Sequence, residues 1–354
     1  MDTIISKNKS LSLKFIAAIF IVLTHIFPKV GQVDTLKYIP LFYWNGYPIE
    51  QYIGSLSGIC VGIFTFLSGY GLYISYNKNI KYKEIFKKIS KLYINYWIII
   101  LIFFPIGLYM GIYKFEIKEF ILNLLALRTS YNHPAWFLRL YVILILIYPM
   151  LIKIVNRYNK NIVIIISFIT NIIGMIMTKL YYISGSNSIV IDLISIFLGG
   201  QFLFLSGIIV SKYAIFNKVK EKIGDSKVKY YSMFLIITIL IVTVIDISVI
   251  GEISKLILIP IFIFTLSNII SEDIFISRLG KYSTNIWLIH AFFYDYLFSD
   301  IVYAPKYSIL IFLNLIILCL FVSYLIKLIY NSVMKICMNS ILFSRSCSKY
   351  YEQS

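Results

Sequence analysis

Ten long apolar runs, separated by short polar connections, decide most of what this chain of 354 residues can fold into. A helix of about 20 apolar residues spans the hydrocarbon layer of a bilayer. Lipid offers no hydrogen bonds, so a spanning segment must satisfy its own backbone, and a helix does so locally. The runs predict spans over Leu11 to Phe27, Ile53 to Tyr76, Leu92 to Tyr113, Trp136 to Ile154, Ile162 to Thr178, Ile189 to Val210, Tyr230 to Ile250, Leu256 to Ile270, Tyr282 to Leu297 and Tyr307 to Ile329. The expected fold class is all-α, a polytopic transmembrane helical bundle of about ten spans. Composition agrees. Hydrophobic residues make up 60% of the chain and charged residues 14%, against about 25% charged in ordinary soluble domains.

A net charge of +17 raises the question of nucleic acid. The lysines form no continuous stripe and no known binding module, so a nucleic-acid partner is excluded. They sit beside apolar runs, where cytoplasmic loops meet anionic membrane lipids. With the N-terminus inside, inner segments hold about three times as many lysines and arginines as outer loops. That bias places both termini in the cytoplasm of a cell whose membrane, expected to be a bacterial cytoplasmic membrane, holds the chain. The first span has a basic flank and no small-residue cleavage site after Phe27, as an uncleaved signal anchor does. Residues 1–330 read as one transmembrane domain and 331–354 as a cytoplasmic polar tail, too short for a core. No internal repeat is visible, which weighs against a transporter built of duplicated halves. Cys60 and Cys319 fall in apolar runs, and Cys337 and Cys347 in the tail, none at metal-site spacing. No metal and no bound cofactor is expected.

An ionisable group inside a span is expensive, so each one is a candidate site residue. His25 lies in the outer half of the first span, in LKFIAAIFIVLTHIF. An imidazole, with an ordinary pKa of about 6.5, is suited to take a proton from a hydroxyl near neutral pH. The alternative is a histidine held by hydrogen bonds within the bundle. Lys14 lies roughly on the same helical face, about 16 Å away along the axis. It either joins a site or snorkels to the inner surface. Lys88 and Lys91, in KNIKYKEIFKKISKLYINYW, put two cations on one helical face at the inner surface. They suit phosphates such as those of coenzyme A, or serve as an ordinary basic loop.

Gly54, Gly58 and Gly62 recur every fourth residue and predict one small-residue packing face. In FTFLSGYGLY, Ser68, Gly69 and Gly71 either let backbone approach a ligand or kink the helix. Arg139 sits just inside the apolar run of HPAWFLRLYVILILIYPML and must face the bundle interior, water or a partner. Trp136 and Tyr141 beside it also read as interface aromatics, and His133 as a loop residue. His290, in GKYSTNIWLIHAFFYDY, is expected to be buried. His290 and Asp295 share the H-x4-D spacing of glycerolipid acyltransferases, but such positions diverge by about 140° on a helix, so the match is set aside. Asp192 and Asp246 lie near expected outer ends and need no special role.

Four of these blocks together resemble the acyltransferase-3 family of integral membrane acyltransferases, typified by bacterial polysaccharide O-acetyltransferases. LKFIAAIFIVLTH is like the family's opening helix, with a basic residue and then histidine. FTFLSGYGLY is like its Phe-x-x-Ser-Gly-aromatic segment. WFLRLYVILILIYPML is like its Trp-aromatic-Leu helix ending at proline, and LGKYSTNIWLIH is like its closing Leu-Gly-x-x-Ser…His segment. They run in order from Leu13 to His290. The resemblance implies a cytoplasmic acyl donor, usually acyl-CoA, as co-substrate and an acceptor often on the outer face. It matches His25 to the family's essential first-helix histidine, Lys14 to an arginine of that helix, and Lys88 and Lys91 to a motif of two arginines. Lysine keeps the charge but loses the bidentate fork that suits phosphate.

The expected function is therefore transfer of an acyl group, acetyl from acetyl-CoA in particular, onto a hydroxyl of a cell-surface polysaccharide or its lipid-linked precursor. His25 is the expected catalytic base. Lys14, Lys88 and Lys91 are expected to bind the donor, and Trp136, Arg139, Ser68 and His290 to serve the acceptor or the oxyanion. Besides acyl-CoA and the carbohydrate acceptor, membrane lipids are the expected partners. The alternative is a flippase for polysaccharide or lipid-linked sugar.

Overall fold

The computed structural model describes residues 4–32, 36–76, 82–245 and 249–351, with 225–226, 238–245, 249–250 and 337–351 as backbone alone. The chain is an all-α polytopic bundle with almost no sheet. Helix α1 (Lys7–Ile26) begins where the Ser6 hydroxyl accepts from the Lys9 amide, an N-cap that meets one of the helix's orphan donors. A connecting segment with a small hairpin, β1 (Tyr43–Trp44) against β2 (Tyr47–Pro48), leads into α2 (Ile49–Ser57) and α3 (Cys60–Tyr76). Then come α4 (Tyr82–Tyr109), α5 (Ile117–Leu124), α6 (Trp136–Arg157), α7 (Lys160–Ile183) and α8 (Ile189–Lys212). The remainder is α9 (Ile215–Ile223), α10 (Asp225–Ile245), α11 (Val249–Ile269), α12 (Ile274–Leu279), α13 (Ser283–Ala291), α14 (Ser299–Tyr303) and α15 (Ser308–Tyr351).

Eight helices among the described residues are long and apolar enough to cross a membrane, and they account for eight of the ten expected spans. The expected span Tyr230 to Ile250 falls on α10 and runs into residues outside the described set, as does Asp246. The expected span Tyr282 to Leu297 is not one α-helix. It starts in a 3₁₀ turn, Gly280–Tyr282, continues as α13, and ends in a π-helical turn, Phe292–Tyr296. Residues 331–351 continue α15. Pro105, Pro149 and Pro260 lie within α4, α6 and α11, as spanning helices tolerate when neighbours satisfy the freed carbonyls.

The glycine face expected from Gly54, Gly58 and Gly62 does not form. Gly58 caps α2, and the chain turns there before α3, so the spacing of four no longer marks one face. Gly54 lies against the Phe27 carbonyl, and Gly62 against the side chains of Ile259 and Leu203. A reciprocal pair of close backbone approaches lies elsewhere. Gly69 on α3 abuts the Phe204 carbonyl of α8, and Gly207 on α8 abuts the Phe66 carbonyl of α3. Two helices that touch at glycine gain dispersion contacts along their length, the main attraction available in lipid. Helix α7 packs on α8 through Gly174 and Gly199. Its other side exposes Ile165, Ile166, Ile169, Ile173 and Ile176, as a lipid-facing surface would.

At the end of the bundle away from Lys7, the connection between α1 and α2 is tied down. The Ile39 amide donates to the Lys306 carbonyl at 2.7 Å, and the Leu41 amide to Glu50 Oε1 at 2.8 Å. This strap roofs one of the cavities described next.

Candidate functional site

At the lysine-rich end of the bundle, Lys14, Lys88, Lys91, Lys281 and Lys327 line one cavity of about 400 Å³. They come from α1, α4, the 3₁₀ turn before α13, and α15, so the fold assembles a cluster that no single segment holds. No described lining residue is acidic. Lys14, Lys88, Lys91 and Lys281 form no ion pair among the described residues, and Lys327 lies over the Tyr282 ring at 4.8 Å. Like charges brought together without a counter-ion repel, and a bound polyanion relieves that repulsion. Polar groups line the wall: Asn95 Nδ2 donates to Asn285 Oδ1 at 2.7 Å, and Ser68 Oγ donates to the Phe64 carbonyl at 2.7 Å.

Aromatic side chains form part of this cavity's wall. Phe64, Phe137 and Trp287 all line it and all are buried. Phe137 and Trp287 meet edge to face at 5.1 Å, and Phe64 lies 6.3 Å from Phe137. The indole N–H of Trp287 donates to the Pro134 carbonyl at 3.0 Å, which pins α13 to the start of α6.

His25 lies at the opposite end of α1 from Lys14 and lines a second cavity, of about 180 Å³. Lys37, Tyr38, Tyr294, Asp295 and Tyr303 share that lining, and no described residue lines both cavities. Three rings form a triangle: His25 and His290 are 5.0 Å apart, His25 and Tyr294 5.6 Å, and His290 and Tyr294 5.7 Å. Tyr294 Oη and His25 Nδ1 are hydrogen-bonded at 3.3 Å. His290 is fully buried, one turn beyond Trp287, and its Nδ1 is hydrogen-bonded to the Trp287 carbonyl at 2.7 Å. Burial pushes the phenols of Tyr38 and Tyr303 up, Tyr303 to about 12, with Glu50 adding to the first and Asp295 to the second. Both therefore stay protonated and able to donate. The Tyr38 hydroxyl is buried without a partner.

The four residues expected at the acceptor or oxyanion are dispersed. Ser68 belongs to the lysine cavity. Trp136 lines a third cavity, of about 500 Å³, with His133, Lys179, Tyr182 and Glu252. Arg139 is buried in an ion pair with Asp192, and its Nη1 also donates to the Leu127 carbonyl at 3.0 Å. Asp192 thus has a partner that its place near a span end did not announce. His290 stands behind His25, and Asp295 lines the His25 cavity.

Sequence reasoning passed over Lys281 and Lys327, counted only as basic loop residues, and Tyr38, Tyr294 and Tyr303. One signal was available: Tyr294 follows His290 by four, the spacing of helical neighbours. Among the described residues no group of three or more His, Cys, Asp or Glu is placed to hold a metal.

No curated protein and no solved structure matches the chain. A family model described as an acyltransferase domain matches residues 11–328, nearly the whole length and all four resembling blocks. With that match over its full bundle, the chain belongs to the acyltransferase-3 family and is a multi-pass membrane acyltransferase.

Proposed function

We propose that the protein moves an acyl group, acetyl in particular, from coenzyme A to a hydroxyl of a cell-surface polysaccharide or its lipid-linked precursor. The observation that carries this reading is the cavity of five lysines without a carboxylate, beneath a separate cavity that holds His25. Coenzyme A is a polyanion with a long uncharged arm. Its phosphates suit the lysines, and its arm suits the distance of about 16 Å along α1 from Lys14 to His25. The bacterial cytoplasmic membrane is the proposed site, with the lysine end inside.

In the proposed reaction the acceptor oxygen attacks the thioester carbon and the C–S bond breaks. An ester forms, His25 takes the hydroxyl proton, and the thiolate leaves to be protonated as coenzyme A. Protonated Tyr38 and Tyr303 supply donors to the acceptor or to the oxyanion, the task first expected of Ser68 and Arg139.

The test is the O-acetyl content of surface polysaccharide, read by NMR, in a deletion strain complemented with wild type or with His25→Ala. Acetylation is expected to vanish on deletion and to return only with wild type. General-base loss is typically worth about 10²–10⁴-fold in rate. Full acetylation by a normally expressed His25→Ala protein would sink the mechanism. Intact acetylation with lost surface export would instead favour a flippase.

A further inference from the structure

His290 carries an atom that the proposed reaction does not use. Its Nε2 is buried without a hydrogen-bond partner, in a side chain with no solvent exposure. A buried imidazole nitrogen left unpaired costs free energy, so a group beside it is due to meet it.

The direction of that bond follows from the other end of the ring. The Trp287 carbonyl can only accept, so the proton of neutral His290 sits on Nδ1 and donates to it at 2.7 Å. Nε2 is then a lone pair, an acceptor. A neutral histidine in this tautomer cannot donate to an oxyanion from Nε2, which removes the oxyanion role first expected of it. What it requires is a donor, and two lie in ring contact: Tyr294 and His25.

We propose that His290 and Tyr294 form a relay that fixes the tautomer of His25, an inference that rests on the acyl-transfer reading given above. In the relay the Tyr294 hydroxyl closes onto His290 Nε2, which has no partner in the structure, and donates its single proton there. Its oxygen then accepts from His25 Nδ1, the bond seen at 3.3 Å. His25 therefore carries its proton on Nδ1 and presents Nε2 as a lone pair to the cavity that holds the acceptor hydroxyl. The polarity of the whole chain is set by the Trp287 carbonyl. The reverse order, with Tyr294 donating to His25 Nδ1, would leave His290 Nε2 dependent on His25 Nε2–H and His25 without a lone pair for a substrate. The π-helical turn Phe292–Tyr296 carries Tyr294 to its place stacked on His290, within reach of His25. Such turns recur at functional sites. Neither His290 nor Tyr294 needs to exchange a proton with substrate; both are positioning residues.

The chain has three histidines, so a ¹⁵N-histidine spectrum of the purified protein in lipid nanodiscs is assignable by single substitutions. Protonated and lone-pair nitrogens are resolved by their shifts and couplings. Wild type is expected to show Nδ1–H for both His290 and His25. Tyr294→Phe is expected to leave His290 unchanged and to divide His25 between its two tautomers. In acyl-CoA turnover the same variant is expected to lose roughly tenfold or more in kcat with KM for the donor little changed. An Nε2–H tautomer of His25 in wild type, or a Tyr294→Phe spectrum with His25 unaltered, would overturn the relay. The spectra require no turnover. If His25→Ala retains full transfer while the tautomers are as expected, it is the reaction that fails and not the relay.

Discussion

Arg139 shows how far single residues were legible. An arginine inside an apolar run announces that it has a partner, but not which one. Asp192 lies 53 positions on, and only the packing of α6 beside α8 brings the two together. Neither carboxylate nor guanidinium tolerates burial alone. Arg139→Met is expected to cost about 3–5 kcal/mol by stranding Asp192. The double variant Arg139→Met with Asp192→Leu is expected to recover most of it. Unfolding midpoints in detergent check both. Lys14, Lys88 and Lys91 were singled out because the resemblance matched them to arginines of the family, although each also had an ordinary reading as a surface or loop cation. Lys281 and Lys327 were not, because they had the ordinary reading alone. Tyr294 was hidden for a third reason, since aromatics are common throughout this chain, with 30 tyrosines.

Among the elements, the long apolar helices were plain from the sequence, and eight of the ten expected spans fall on helical segments long and apolar enough to cross a membrane, one of them broken at Gly58. The composite stretch from Gly280 to Tyr296 was harder. Its hydropathy is that of a span, but its 3₁₀ and π turns depend on hydrogen bonds that periodicity does not encode. The glycines show the same limit. A spacing of four picked out Gly54, Gly58 and Gly62, whereas the reciprocal backbone contact is made by Gly69 and Gly207, far apart in sequence. Gly207→Val is expected to push α3 from α8 and to destabilise the protein by about 1–3 kcal/mol. Gly71→Ala, whose added Cβ meets nothing within 4 Å, is the matched control and is expected to be nearly neutral. Thermal unfolding of both variants in the same detergent makes the comparison.

For the molecule as a whole, the sequence pointed to chemistry on both sides of a membrane but gave no cavities. The five-lysine cavity makes a quantitative expectation possible. Lys281→Gln and Lys327→Gln, each removing one cation from the proposed donor site, are expected to raise KM for acyl-CoA roughly three- to tenfold with kcat retained. The losses should shrink as salt rises, because screening weakens the wild-type attraction as well. Lys88→Arg with Lys91→Arg is expected to keep or tighten donor binding, since guanidinium pairs with phosphate in two bonds where ammonium makes one. Steady-state kinetics at two ionic strengths decide each case.

The aromatic contacts of Phe64, Phe137 and Trp287 carry an electrical consequence. In the proposed reaction, a water-filled lysine cavity would carry the inner potential up to its aromatic wall, and the transmembrane voltage would fall mainly between that wall and His25. On the proposed reaction the leaving thiolate takes its proton from the inside, while the proton lost by the acceptor leaves through the His25 cavity. Each turnover then carries one unit of positive charge outward, against an inside-negative potential, at about 2.3 kcal/mol per 100 mV. An acyltransferase working in this way would be electrogenic, and collapsing the potential of an energised vesicle with valinomycin and potassium would be expected to speed it. A rate indifferent to voltage would mean that the proton returns inward past Trp287 to the thiolate that the acyl group left behind.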